Sequence, residues 1–282
     1  MRTSFIALAL ISALAPSIAA QATGPADSPA LDLRMAPASS VPAPAQKTFF
    51  VRSDLGWLAG AIAVTAGISA FDVRISHFML DPNQQAGSFH SIVKPFNNVS
   101  ETTVSWAAVA GYGLGRLTHS ETVADVSLHV GEALVISTVF GQTVRGVGGR
   151  ARPSTSPDDQ YSFHWGQGFG HFPYRAFPSL HSAAGFILAS AVTEEVHERA
   201  PGATWYVGPV LYVAAAGPGL ARMYLGQHWA SDVFAGAFMG TFLGYRVVRY
   251  AHSHKRSKLD RIFLGTAPDG RGHSVVTIGL HY

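Results

Sequence analysis

Six apolar stretches, at residues 55–71, 102–118, 123–143, 181–196, 203–221 and 230–250, constrain this chain more than any other feature. Each is long enough for a helix and too long for an ordinary strand, so together they predict an all-α fold, a six-helix bundle. Of the 282 residues, 48% are hydrophobic and only 13% are charged. Soluble domains usually carry roughly 25% charged residues. So little charge leaves little polar surface for six soluble helices and favours membrane integration, with a soluble periplasmic bundle as the alternative. Several stretches are short for bilayer spans, which take about 20 apolar residues.

The flanks read differently. Residues 1–20, MRTSFIALALISALAPSIAA, combine one arginine, an apolar run and small residues. That is the pattern of a signal peptide cleaved after Ala19 or Ala22, which implies export. Residues 21–46, rich in Pro, Ala and Ser, read as a disordered tether. The helical domain then occupies 47–254, and 255–282 form a basic segment and a β-hairpin. In the hairpin, Val276, Ile278, Leu280 and Tyr282 alternate after a Pro268-Asp269-Gly270 turn. The net charge is +3 without a lysine-rich tail, so nucleic acid is not an expected partner. The absence of cysteine excludes disulfides and thiolate metal sites.

Three polar clusters interrupt the apolar pattern. In ARMYLGQHWASD, His228 and Asp232 stand four apart, which on one helix stacks them on one face. The carboxylate can then fix one imidazole nitrogen and leave the other as a free lone pair. Arg222 lies just before, and the connection through Gly226 lets it point to the same place. In RAFPSLHSAAGF, Ser179 is a candidate helix N-cap and His181 sits in the first turn, where unpaired N–H groups favour an anion. In RGVGGRARP, Arg145, Arg150 and Arg152 share a glycine-rich loop, predicted to run from Arg145 to Phe177, whose guanidinium forks suit phosphate oxygens. Taken singly, each also fits a solvated ion pair, a plain cap or a basic loop.

Taken in order, the three clusters closely resemble the type 2 phosphatidic acid phosphatase family, whose fold is shared with vanadium haloperoxidases. The resemblance spans about residues 55–250. It implies a metal-independent phosphatase without cofactor, hydrolysing a phosphate monoester or a diphosphate. His228 resembles the nucleophile that forms a phosphohistidine, Asp232 its orienting carboxylate, and His181 the general acid. Arg145, Arg152 and Arg222, with Ser179 and the Leu180 N–H, resemble the phosphate cradle. The implied partner is a phosphorylated lipid or a small phosphate ester. Three positions depart from the family pattern: Arg145 replaces a lysine, Leu180 a glycine and Ala221 a serine. The Leu180 side chain is expected to overhang the pocket and narrow substrate choice. A vanadate-dependent haloperoxidase and an inactive envelope scaffold or lipid-binding protein are the competing functions.

Two features outside the motifs are read as structural. His129 and Glu132 are expected to be buried polar groups satisfying other helices rather than metal ligands, and Asn98-Val99-Ser100 to be a loop or helix cap. Orientation gives opposing signals. If the N-terminus is exported and every stretch spans, the loop at Arg145 falls in the cytoplasm. The basic residues from Arg246 to Arg261 argue for a cytoplasmic end after the last helix, which turns the site towards the periplasm. Both signals hold if the first stretch lies in the interface instead of spanning.

Overall fold

The computed structural model describes residues 48–85 and 89–254, together with the backbone of 262–268 and 274–280. The leader, the tether and the basic segment 255–261 lie outside the described residues. The chain runs through α1 (Ser53–Ser69), three shorter helices α2 (Asp72–Leu80), α3 (Pro82–Gln85) and α4 (Phe89–Val93), then α5 (Glu101–Leu117), α6 (Glu121–Gly148), α7 (Leu180–Arg199), α8 (Thr204–Tyr224) and α9 (Ala230–Ser253). Two strands, β1 (Ile262–Pro268) and β2 (Ser274–Leu280), pair antiparallel with Ile262 opposite Leu280, which is the expected hairpin. The six apolar stretches correspond to α1 and α5–α9, and the bundle is the predicted one.

Differences appear at the edges. The sequence pattern between 72 and 93 carries no clear apolar period, yet three short helices form there. The third stretch also runs further than expected, because Arg145 lies in the last turn of α6 and not in a loop. The helix stops at Gly149, whose φ of 60° is left-handed, and a Cβ there would meet the His164 carbonyl oxygen at 1.8 Å. Ser100 caps α5 through a reciprocal box with Thr103, as the cap reading anticipated.

The tightest seam joins α7 to α9. Gly236, Gly240 and Gly244 recur every four residues and line one face of α9. A Cβ at Gly236 would meet the Ser179 carbonyl oxygen at 2.1 Å, one at Gly240 the Ala183 oxygen at 2.3 Å, and one at Gly244 the Ile187 oxygen at 2.8 Å. Only hydrogen fits along this line, so the two backbones touch. Beside the seam, Val130, Leu134, Ile187, Leu243, Val247 and Val248 form the buried core.

Helix direction follows from two ion pairs. Asp54 at the start of α1 pairs with Arg246 near the end of α9, whereas Asp72, just after α1, pairs with Arg150 after α6. Hence α1 runs along the bundle from one end to the other. The starts of α5, α7 and α9 and the ends of α6 and α8 gather at the Asp72 end. Outward faces are apolar: Trp106 and Val109 on α5, Val135, Val139 and Phe140 on α6, and Trp205, Val210 and Val213 on α8 are exposed. Among the described residues, α6 is the helix that is alone long and apolar enough to cross a membrane, and α1 with α2 passes as a pair bent by 58°.

Candidate active site

At the Asp72 end the bundle opens a cavity of about 200 Å³. Its wall carries Arg145 from α6, Arg152 and Arg175 from the following loop, His181 from α7, Arg222 from α8 and His228 from the α8–α9 connection, with Glu101, Gln142 and Phe172. Five of the eight residues expected at the site are therefore brought onto one surface. The other three, Ser179, Leu180 and Asp232, are buried behind it.

Each arginine is anchored by part of its guanidinium. Arg145 donates Nε to the Pro178 carbonyl at 2.8 Å, while its buried Nη2 has no hydrogen-bond partner. Arg152 donates Nε to the Phe172 carbonyl and Nη1 to Gln227 Oε1, and it lies 3.9 Å from the Phe172 ring centroid. Arg222 donates Nη1 to Asn97 Oδ1 at 3.0 Å and leaves its buried Nε unpartnered. Buried donors of this kind cost free energy unless something accepts from them. Burial and the neighbouring Arg145 and Arg222 lower the Arg152 pKa to about 10, which leaves it charged at neutral pH.

His228 departs from the helical pairing expected of it. The helix α9 begins only at Ala230, so His228 precedes it, and Gly226 with φ 61° makes the turn that delivers it. Its Nδ1 still lies 3.6 Å from Asp232 Oδ2, although no hydrogen bond is formed at that distance. Asp232 caps its own helix by accepting the Trp229 N–H at 2.8 Å. Full burial, followed by repulsion from Arg145, Arg152 and Arg222, pushes the His228 pKa well below its ordinary value of 6.5. A neutral imidazole results, with its Nε2 lone pair available for attack.

Arg150 has another task than the phosphate fork suggested by its loop. It is turned away from the cavity and donates Nη1 to Asp232 Oδ1 at 2.5 Å and to Ser231 Oγ at 2.8 Å, and Nη2 to Asp72 Oδ2 at 2.8 Å. Asp72 in turn accepts the Ser231 N–H at 2.9 Å. The buried Asp72–Arg150–Asp232 chain thus fixes the carboxylate behind His228. Sequence reasoning missed Asp72, Asn97, Glu101 and Gln142, which belong to no spaced motif, and gave no role to Arg175, which opens the Ser179 cluster.

Ser179 caps α7 as predicted, its Oγ accepting the Ser182 N–H at 3.3 Å, and this engagement keeps it off the cavity wall. Its own N–H donates to the Asp232 carbonyl at 3.0 Å, a main-chain bond that ties the cluster of Ser179 and His181 to that of His228 and Asp232. Leu180 corrects an expectation. Its side chain is 1% exposed and packs over Gly141, where a Cβ would come within 2.5 Å of Leu180 Cδ2. It therefore does not overhang the cavity, while its N–H, in the first helical turn, has no acceptor within the helix.

The far end of the bundle holds a second polar group. His129 Nδ1 meets Glu195 Oε1 at 2.5 Å, and His252 Nε2 meets Glu195 Oε2 at 3.2 Å. These ligand atoms lie within 4.8 Å of one another. Arg199 already pairs with the same carboxylate, so the cluster is charge-balanced by protein groups, and His129 satisfies another helix as expected.

A helical bundle that gathers four arginines and two histidines around one cavity has the donors and the charge to suit a tetrahedral oxyanion. Residues 127–256 match the model described as the PAP2 superfamily, the family that the three clusters resemble. The lipid A 1-phosphatase of Porphyromonas gingivalis is 29% identical over 161 residues, 56% of this chain, and the match spans 31% of that relative's length. The crystal structure of a transmembrane PAP2-type phosphatidylglycerolphosphate phosphatase from Bacillus subtilis superposes with a TM-score of 0.53 at 18% identity, covering 73% of this chain and 99% of the other. It supports the fold.

Proposed function

We propose that the protein is a membrane phosphatase that hydrolyses a phosphate ester of a lipid through a phosphohistidine on His228, with no metal ion. The observation that carries this reading is the convergence of Arg145, Arg152, Arg222, His181 and His228 on one cavity, with Arg145 Nη2 and Arg222 Nε left without a protein partner. Phosphoryl transfer needs chiefly positioning and neutralisation of charge on the equatorial oxygens, and fixed guanidiniums supply both.

In the first half-reaction the His228 Nε2 lone pair forms the P–N bond as the P–O bond to the alcohol breaks. His181 gives its proton to the departing oxygen. Asp232, held by Arg150, stabilises the positive charge that develops on His228. In the second half-reaction a water oxygen attacks phosphorus, its proton passes to His181, the P–N bond breaks and inorganic phosphate is released. The Leu180 N–H adds a donor from the helix N-terminus.

A lipid substrate is supported by the exposed apolar faces of α5, α6 and α8, which exceed what water tolerates on a monomer. The two relatives whose names specify lipid phosphates agree with it. Arg246 and Arg249 lie at the end opposite the cavity; placing that end in the cytoplasm turns the site towards the periplasm. Because α1 runs between the ends, this orientation starts α1 on the inner side. An exported, cleaved leader combined with six spans gives the reverse orientation.

The test is phosphate release in detergent with EDTA present, from phosphatidic acid and from p-nitrophenyl phosphate. Release from the lipid should persist with EDTA and fall by about 10⁴-fold or more in His228→Ala, as when a nucleophile acting in a concerted unit is removed. Loss of release on chelation, or survival in the variant, refutes the metal-free phosphohistidine. A cysteine placed at position 165, in a chain with none of its own, should be labelled from outside intact spheroplasts; labelling only after lysis reverses the orientation.

A further inference from the structure

Glu101 opens α5, outside the family-matched segment, and it lines a cavity whose other ionisable groups are four arginines and two histidines. A negative charge there repels the phosphate that the arginines attract, so it needs a compensating use. Its Oε2 is shielded from solvent and has no hydrogen-bond partner. The nearest ion-pair contact is His181 Nδ1 at 3.5 Å. Since Nδ1 faces Glu101, Nε2 is the nitrogen left for the substrate.

We propose that Glu101 is a positioning residue for the general acid: its carboxylate accepts the His181 Nδ1–H and aims Nε2–H at the leaving oxygen. This rests on the phosphatase reading above. The charged groups facing His181 are Arg145 from α6, Arg152 from the loop, Arg222 from α8 and His228 from the α8–α9 connection. All of the arginines oppose an imidazolium, and Glu101 is the one carboxylate on the wall to favour it. When the P–O bond breaks, the Nε2 proton moves to the alkoxide and His181 becomes neutral, while Glu101 keeps its place at Nδ1 and exchanges no proton. The cavity thus holds two carboxylate–histidine pairs, Asp232 behind the nucleophile and Glu101 behind the acid. The motif spacing announces only the first.

The leaving group supplies the test. p-Nitrophenolate departs without a proton, whereas the alkoxide of phosphatidic acid requires one. In Glu101→Gln, kcat on phosphatidic acid should fall about 30- to 100-fold, within the range of general-acid effects, with kcat on p-nitrophenyl phosphate changed less than about threefold. Glu101→Asp should recover part of the loss. Equal losses on both substrates, or a change confined to KM, overturn the proposal. A second readout needs no turnover: the His181 imidazole, assigned by comparison with His181→Gln, should titrate about one pH unit lower in Glu101→Gln than in the parent. An unmoved midpoint in a variant that melts like the parent refutes the pairing. If the parent releases phosphate from neither substrate, the phosphatase reading fails, while the titration still decides the Glu101–His181 contact.

Discussion

The matched segment 127–256 and the stretch 72–101 that precedes it divide the site between them. The first supplies the cavity's cations, Arg145, Arg152, Arg175 and Arg222, and both histidines. The second supplies partners: Asn97 holds Arg222, Glu101 faces His181, and Asp72 holds Arg150 behind the wall. A cradle of like charges repels itself, and the ligand is its natural counterweight. Before the ligand arrives, each guanidinium must be held in its productive direction by something else. Here Asn97 does so for Arg222 and Asp72 for Arg150 behind the wall, whereas Arg145 and Arg152 are held from within the matched segment by Pro178, Phe172 and Gln227.

That division of labour can be broken most severely at Arg150. Arg150→Ala leaves Asp72 and Asp232 buried and unpaired, and should destabilise the fold by about 3–5 kcal/mol, since one partner of a buried ion pair is removed. Asp72→Asn introduced into that background should recover part of the loss, read as a rise in melting temperature. Simple additivity of the two changes would show that the stretch 72–101 does not hold the site.

Acidification perturbs the matched segment instead. The folded His228 pKa lies well below 6.5, so the unfolded chain takes up its proton first as pH falls. Stability is full above pH 6.5 and drops by about 1.4 kcal/mol per pH unit below it, until the depressed folded value is reached. Thermal melts between pH 7.5 and 5 should show this slope, and His228→Gln should remove one proton's worth of it. An unchanged slope in the variant assigns the acid sensitivity elsewhere. The mildest change is Asn97→Ala, which frees one arm of Arg222 while its charge stays. A fall in kcat/KM of about tenfold is expected, near the low end for a hydrogen bond to a charged group, with the melting temperature nearly unmoved. No change in kcat/KM would make the contact incidental.

The bundle and its motif residues were legible because periodicity and fixed spacings are local signals. Arg222, His228 and Asp232 sit within eleven consecutive positions, and the turn at Gly226 needs no distant information. His228 was misplaced onto a helix because a spacing of four also suits a residue just before the helix and one in its first turn. Leu180 was misjudged because a helix N-terminus gives no azimuth: which way the side chain turns depends on Gly141, on another helix. Asp72, Asn97 and Glu101 were out of reach for the same reason. Their partners lie 78, 125 and 80 residues away in sequence, and nothing near them in the chain marks them as polar groups that will be buried.

The glycine seam between α7 and α9 has one more consequence. A helix advances 100° per residue, so a single residue inserted in α7 between Leu180 and Ala183 would keep the contact at Gly240 only by turning His181 about a quarter of the way round the helix, away from the nucleophile. The spacing of Gly236, Gly240 and Gly244 is therefore a vernier: it sets the rotational phase of one catalytic histidine against the other. Evolution of such a chain is free to lengthen its loops, but α7 and α9 can change length at the catalytic end only together.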